Sequence, residues 1–198
     1  MLLTKQAARK NGLAARRQLS LRERHALSRR ICCRIIRFIR LRNIQTISAY
    51  VAMPDEVDLS SLIAWCLQND KNILVPSIGS MHKMAFKPIE KGTRWRTASY
   101  GIKEPFITKR FASNTNFGKP IELICAPLSA FDAHFNRTGM GGGFYDRFIN
   151  SASFGPKSHF LGVAFTCQQS PMFATESHDI ALDKIVTEKY IYQRSKTR

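Results

Sequence analysis

A chain of 198 residues with 44% hydrophobic content is long enough to close a substantial core, and its length suits one domain. No apolar run approaches the roughly 18–20 residues that span a bilayer, and no signal-peptide core follows Met1. The net charge of +17 is concentrated at the start: residues 1–42 carry 13 Lys/Arg against the single acid Glu23. That stretch reads three ways: a solvated basic helix face, a surface for polyanions (nucleotide, polyglutamate or nucleic acid), or an Arg-rich presequence. Five cysteines (Cys32, Cys33, Cys66, Cys125, Cys167) make no Cys-x-x-Cys and no Cys/His zinc spacing. Reduced, mostly buried thiols in a cytoplasm are expected.

In chain order, Lys5 to Gln18 predicts a first helix. Ser20-Leu21-Arg22-Glu23 is a capping box that opens a second at Leu21, where Leu27, Ile31, Ile35, Phe38 and Ile39 repeat at helical spacing. Thr46 to Val51 reads as a strand. Asp58 then caps a helix through Leu59, Leu62, Trp65 and Leu67, and Ile73-Leu74-Val75 is a strand stopped by Pro76. This β-α-β order predicts a parallel pair. Met84 to Ile89 is an edge strand, because Pro88 cannot donate to a ladder. Residues 90–120 read as mostly loop, Ile121 to Pro127 and Phe160 to Phe165 as strands, Lys184 to Tyr192 as the last strand, and residues 193–198 as a polar tail.

The densest signal is Arg137-Thr138-Gly139-Met140-Gly141-Gly142-Gly143-Phe144-Tyr145-Asp146-Arg147. Glycine reaches φ > 0 without steric cost, so successive N–H groups can line an anion-binding nest. Phe144 to Ile149 reads as the opening of a helix, whose N-terminus favours a phosphate. Asp146 beside it could hold Mg²⁺. No Gly-Lys-Ser/Thr follows, so this is not a Walker A loop, and Phe144 occupies the place of the third glycine of a dinucleotide fingerprint. A strand, a loop and then a helix is the setting of phosphate sites in open α/β sheets.

Several separated pieces point together. They are Lys5-x-x-x-Arg9, Met53-Pro54-Asp55-Glu56-Val57-Asp58, Tyr100-Gly101-Ile102-Lys103-Glu104-Pro105, Pro127 to Asp132, the glycine run, Gln168, His178-Asp179 and Val186-Thr187-Glu188. In this order the set resembles the 5-formyltetrahydrofolate cyclo-ligase (5,10-methenyltetrahydrofolate synthetase) family over residues 5–190. The resemblance implies an ATP- and Mg²⁺-dependent cyclisation of 5-formyltetrahydrofolate to 5,10-methenyltetrahydrofolate, releasing ADP and phosphate through a phosphorylated imidate. It implies ATP binding by Lys5, Arg9 and the run Arg137, Thr138, Gly139, Met140, Gly141, Gly142, Gly143, Phe144 and Tyr145, with Arg137 and Tyr145 acting catalytically. Folate would meet Val51, Glu56, Tyr100 and Met140 to Phe144, and Mg²⁺ would meet Asp146 and Asp179. His178 reads as orienting Asp179, while His25, His82, His134 and His159 show no constellation. Two positions depart from the family pattern: Thr138 stands where a leucine is usual, and Phe135 where a glycine is usual, so the turn from Asp132 to Arg137 is expected to be reshaped. Lys5 sits at the family's start, which argues against a removable leader.

The expected fold is a single α/β domain over residues 1–198: a mixed, largely parallel sheet flanked by helices, an open αβα-type sandwich. Its site would lie at strand C-terminal ends, closed by the N-terminal helix. The substrate is 5-formyltetrahydrofolate, polyglutamylated or not, and the protein is expected to be a monomer with neither membrane nor nucleic-acid partner. The rival is a basic nucleic-acid-binding protein that keeps the fold without the chemistry. Against it stand the intact phosphate and metal set and the lack of aromatic-basic interleaving. An ATP-dependent enzyme with another small substrate is the third reading.

Overall fold

The computed structural model describes residues 2–79, 84–98, 101–106, 120–150 and 158–194. Helix α1 (Lys5–Gln18) starts behind Thr4, whose hydroxyl accepts the Ala7 N–H at 3.1 Å. Helix α2 (Leu21–Leu41) starts at the predicted capping box: Ser20 Oγ accepts from Glu23 N at 3.2 Å, and Glu23 Oε2 accepts from Ser20 N at 2.8 Å. Strand β1 (Thr46–Ser48), helix α3 (Ser60–Gln68) and strand β2 (Asn72–Ile78) follow, then β3 (Met84–Pro88), β4 (Trp95–Thr97) and β5 (Lys103–Pro105). After these come β6 (Leu123–Pro127), β7 (Ala130–Phe131), β8 (Arg137–Thr138), helix α4 (Phe144–Asn150), β9 (His159–Val163), β10 (Lys184–Val186) and β11 (Ile191–Gln193).

Seven strands form one sheet in the order β11-β10-β9-β6-β1-β2-β3. The inner five are parallel, and β3 and β11 close the edges antiparallel. Alternation along β6 sorts the core into two faces. Leu123 and Cys125 pack with Ile31, Ile35 and Ile39 of α2 and Leu62 of α3. Ile124 and Ala126 pack with Phe86, Phe160 and Ile149 of α4. This is the expected α/β sandwich with a largely parallel sheet. Burying each of Ile31, Ile35 and Ile39 contributes about 1.5–3 kcal/mol.

α1 joins neither face. Ala8 packs on Ala130 and Phe173, just past the C-terminal ends of the parallel strands. A Cβ on Gly12 would lie 2.1 Å from the Ser129 carbonyl oxygen, so only glycine lets the helix come this close.

The structure corrects several expectations. Pro76 does not stop β2; it lies within the strand, paired with Phe86. β1 pairs only with Asn72 to Leu74, so beyond Leu74 one side of β2 has no ladder for proline to break. β1 ends at Ser48, which leaves Val51 in the loop beyond it. Residues 90–120 contain the β4–β5 ribbon, and the segment after β6 forms the β7–β8 ribbon. The last strand is two, β10 and β11, folded back antiparallel. Asp58 still serves α3 from just before its first turn, accepting Ser60 N at 2.9 Å. Cys32, Cys66 and Cys125 are buried, and burial pushes the thiols of Cys32 and Cys66 up to about 11 and about 12. Cys33 and Cys167 are exposed, Cys33 because its neighbour already occupies the buried face of α2.

Candidate active site

The glycine run begins at β8. Gly141 and Gly143 sit at φ +97° and +61°, backbone that side chains rarely adopt. Arg9 of α1 donates from Nε to the Gly139 carbonyl (2.6 Å) and to Thr138 Oγ1 (3.2 Å). Arg147 donates to the Gly142 carbonyl at 2.6 Å. Carbonyls are thus held from outside, and among the described residues none accepts from the N–H groups of Met140, Gly141, Gly142 or Gly143. α4 is only seven residues long, so capacity for an anion rests with these loop donors rather than with a long helix dipole. Met140 is exposed at the loop's crest.

The two departures from the family pattern have local explanations. Thr138 supplies the hydroxyl that receives Arg9. Phe135 takes φ +65°, the conformation a glycine would adopt there. Asp132 holds the turn, its Oδ1 accepting from His134 N (2.9 Å) and Asn136 N (3.0 Å), and the Phe135 carbonyl accepts Leu182 N at 2.9 Å. A left-handed residue thus stands at Phe135, inside a turn that Asp132 braces.

Beneath the loop, Arg137 donates to Asp146 Oδ1 at 2.7 Å, with the guanidinium 5.1 Å from the Phe160 ring centroid. Asp146 Oδ1 also accepts Ile180 N (3.2 Å), which ties α4 to the Asp179 segment and leaves Oδ2 without a hydrogen bond among the described residues. Arg137 is buried and faces Asp146 rather than the loop's mouth. Lys5 pairs with Asp179 and, at 3.4 Å, with Glu176. Burial raises the Asp179 pKa, but the Lys5 ammonium, the Glu176 N–H and His178 together outweigh it and hold the carboxyl below its ordinary range. His178 contacts Glu176 rather than Asp179, at 3.2 Å.

The oxygens of Asp146 and Asp179 suit Mg²⁺, which is usually held by one or two carboxylates with substrate phosphates and waters. Both carboxylates are matched to a cation within the protein, and Asp146 Oδ2 keeps acceptor capacity.

A second group of the residues singled out in the sequence lies between α2 and the segment after β1. Val51, Ala52, Met53, Pro54 and Glu56 line a cavity of about 260 Å³ with Arg24, His25 and Ser28. Glu56 Oε2 accepts Met53 N at 3.0 Å. Burial raises the Glu56 pKa; the Met53 N–H and the Arg16 guanidinium oppose it, and Asp55 adds to it. The Tyr145 hydroxyl is buried with no partner among the described residues. Burial and the Glu56 charge push it far up, with Arg137 opposing. A buried hydroxyl without a partner calls for a ligand or water.

So Lys5 and Asp179 come together, as do Arg9 with the glycine run, Arg137 with Asp146, and Val51 with Glu56. Tyr100 lies outside the described residues. Sequence reasoning set His25 aside, yet it lines the Glu56 cavity; it also passed over Arg24 and Ser28. Their signal was a helical i, i+1, i+4 spacing, with Ser28 a polar residue on an apolar face, where its Oγ accepts Asp58 N at 3.0 Å.

Fold and site together define an α/β protein with a glycine-rich loop after β8 and a carboxylate-bearing cavity beside α2. The family model of the 5-formyltetrahydrofolate cyclo-ligase family matches residues 3–188, and the chain belongs to that family of ligases. It is 28% identical over 176 residues to the 5-formyltetrahydrofolate cyclo-ligase of Haemophilus influenzae, covering 86% of this chain and 90% of that one. With the mouse 5-formyltetrahydrofolate cyclo-ligase it is 25% identical over 178 residues, 87% of each. The solution structure of Aquifex aeolicus 5,10-methenyltetrahydrofolate synthetase superposes with a TM-score of 0.80 at 26% identity, over 99% of this chain and 95% of that one.

Proposed function

We propose that this protein closes 5-formyltetrahydrofolate to 5,10-methenyltetrahydrofolate at the expense of ATP. The reading is carried chiefly by the unpartnered Tyr145 hydroxyl, which feels both Glu56 on the cavity side and Arg137 beneath the glycine loop. The pterin's amino and ring N–H groups donate to the Glu56 carboxylate while Val51 packs against the ring. ATP phosphates take the free loop N–H groups, with Arg9 and Lys5 beside them. Asp146 and Asp179 would hold a Mg²⁺ ion, which would supply neutralisation of the phosphate charge.

In the first step the formyl oxygen attacks the γ-phosphorus and the bond to ADP breaks. N10 then attacks the imidate carbon, the C–O bond to phosphate breaks, and inorganic phosphate leaves as the ring closes and N10 gives up its proton. The protein mostly positions and screens charge in such chemistry. Lys5 and Arg137 each pair with one of the two carboxylates assigned to the metal, and so place positive charge beside the phosphates. The three buried thiols, all free, fit a reducing cytoplasm.

Mixing purified protein with 5-formyltetrahydrofolate, Mg²⁺ and ATP tests the reading through the near-UV absorbance of the product. An ATP-dependent rise that is lost in Asp146→Asn is expected. A flat trace from folded protein that still binds ATP rejects the cyclisation.

A further inference from the structure

Lys5, Arg9, Gly12 and Arg16 recur at i, i+4, i+7 and i+11 and share one face of α1. Each meets a different part of the site. Lys5 holds Asp179, Arg9 holds the glycine run, and Gly12 lies against the Ser129 carbonyl. Arg16, the last of the four, is 3% exposed. Its Nη2 pairs with Asp55 at 3.0 Å, and its Nη1 reaches the Leu128 carbonyl at 3.5 Å. Asp55 adjoins Glu56. Leu128 adjoins Ser129, whose N–H donates to the Thr138 carbonyl at 2.6 Å at the threshold of the glycine loop. Gln168 braces the same strand end, donating to the carbonyls of Leu128 (2.7 Å) and Ser129 (3.0 Å).

We propose that Arg16 is a positioning residue that locks the turn carrying Glu56 onto the helix carrying Lys5 and Arg9, and so sets the separation of the folate and nucleotide half-sites. The inference rests on the cyclo-ligase reading and adds a residue to it. The reaction joins a formyl oxygen to a phosphate, and reacting atoms must be held about 3–3.5 Å apart before attack. The groups that hold them come from the first helix, from a turn after β1 and from a loop after β8, so a rigid link among the three is required.

A buried ion pair is a poor device for stability, since an apolar replacement often does as well. Arg16 even keeps a buried Nε without an acceptor among the described residues. What the pair supplies is direction: a planar fork aimed at Asp55 and Leu128 together. Arg17 makes an internal control. It contacts the same Asp55 at 3.4 Å, but its side chain is 66% exposed.

The test measures binding of 5-formyltetrahydrofolate and of Mg²⁺-ATP separately, by calorimetry, on wild type and on R16Q, R16K, R17Q, D55N and R16Q/D55N. R16Q and D55N should each weaken folate binding about 10- to 100-fold, the scale of a small misplacement. The ATP dissociation constant should stay within about twofold, as for an independent site. R16Q/D55N should be no weaker than the worse single variant, R16K should recover part of the loss, and R17Q should match wild type. If R16Q does not fold, D55N carries the same test from the half-buried partner. Folate affinity unchanged in R16Q or D55N overturns the inference alone. So does equal weakening of folate and ATP, which reduces the pair to packing. A wild type that binds ATP but no folate overturns the cyclo-ligase reading and the inference with it.

Discussion

α1 and α2 are both arginine-rich helices, and their compositions alone suggest the same use. Most of their basic side chains are placed differently, although Arg24 of α2 lines the Glu56 cavity and Arg17 of α1 faces solvent. α1 turns Lys5, Arg9 and Arg16 into the protein, where each meets a carboxylate, a hydroxyl or a backbone carbonyl. α2 buries Ile31, Cys32, Ile35 and Ile39 and leaves Arg22, Arg29, Arg30, Arg37 and Arg40 exposed to solvent. The difference shows that a basic run carries no functional information until its partners are known. Charge directed at a fixed acceptor builds a site; charge directed at water adds solubility and a long-range field.

The comparison is tested hardest where α1 and the glycine loop share their acids. Asp146→Asn should lower kcat by at least about 100-fold, the scale of losing a group that acts on transferred phosphate. Steady-state assays over a Mg²⁺ series check it. Gly12→Ala should come next, because its methyl would meet the Ser129 carbonyl and push α1 outward. Overpacking of this kind costs about 1–3 kcal/mol, and a lowered melting temperature with weakened ATP binding is the expected reading.

Glu56→Gln separates the half-sites: folate binding should fall about tenfold or more, as when a charged acceptor is lost, with ATP binding retained. The same change should stabilise the fold at neutral pH. Burial raises the Glu56 pKa in the folded state, so ionisation destabilises the fold above the unfolded value of about 4.3. The gain should shrink as pH falls through the raised folded pKa and be gone below the unfolded value. Asp179→Asn has the opposite sign. Its folded pKa is lowered, so the contribution of Asp179 is present above the unfolded value of about 3.9 and is lost as pH falls through the folded one. Melting curves at neutral and acid pH distinguish the two.

The smallest effect should come from the exposed arginines of α2. Replacing Arg29, Arg30, Arg37 and Arg40 together by Gln should change kcat/KM by less than about twofold at physiological salt, where exposed charges are screened. A large fall, or loss of salt-sensitive RNA binding, would give α2 a role like that of α1 and revive the nucleic-acid reading.

Much of this was legible in order along the chain. The Ser20–Glu23 capping box, the apolar stripe of α2, the parallel β1-α3-β2 unit and the glycine run all rest on interactions between residues close in sequence. Pro76 was misread because its tolerance depends on a neighbouring strand that ends early, which no local pattern states. Arg16 and His25 were passed over for a related reason: one arginine or histidine among many in a basic stretch has no local mark. Only the packing of α1 on the β6 end, and of α2 against the Glu56 turn, gives them a partner.

By itself the sequence determined the helices, most of the strands, and the presence of a glycine-rich, phosphate-suited loop followed by a carboxylate, because periodicity, caps and glycine conformation are short-range properties. Tertiary structure alone decided which basic residues face an acid and which face water, and that Phe135 could hold a left-handed turn braced by Asp132. It alone buried the Tyr145 hydroxyl within reach of the charges of Glu56 and Arg137, which come from distant segments. Electrostatic pairing and burial depend on distance in space, and folding sets that distance by bringing together residues that lie more than a hundred positions apart, such as Lys5 and Asp179.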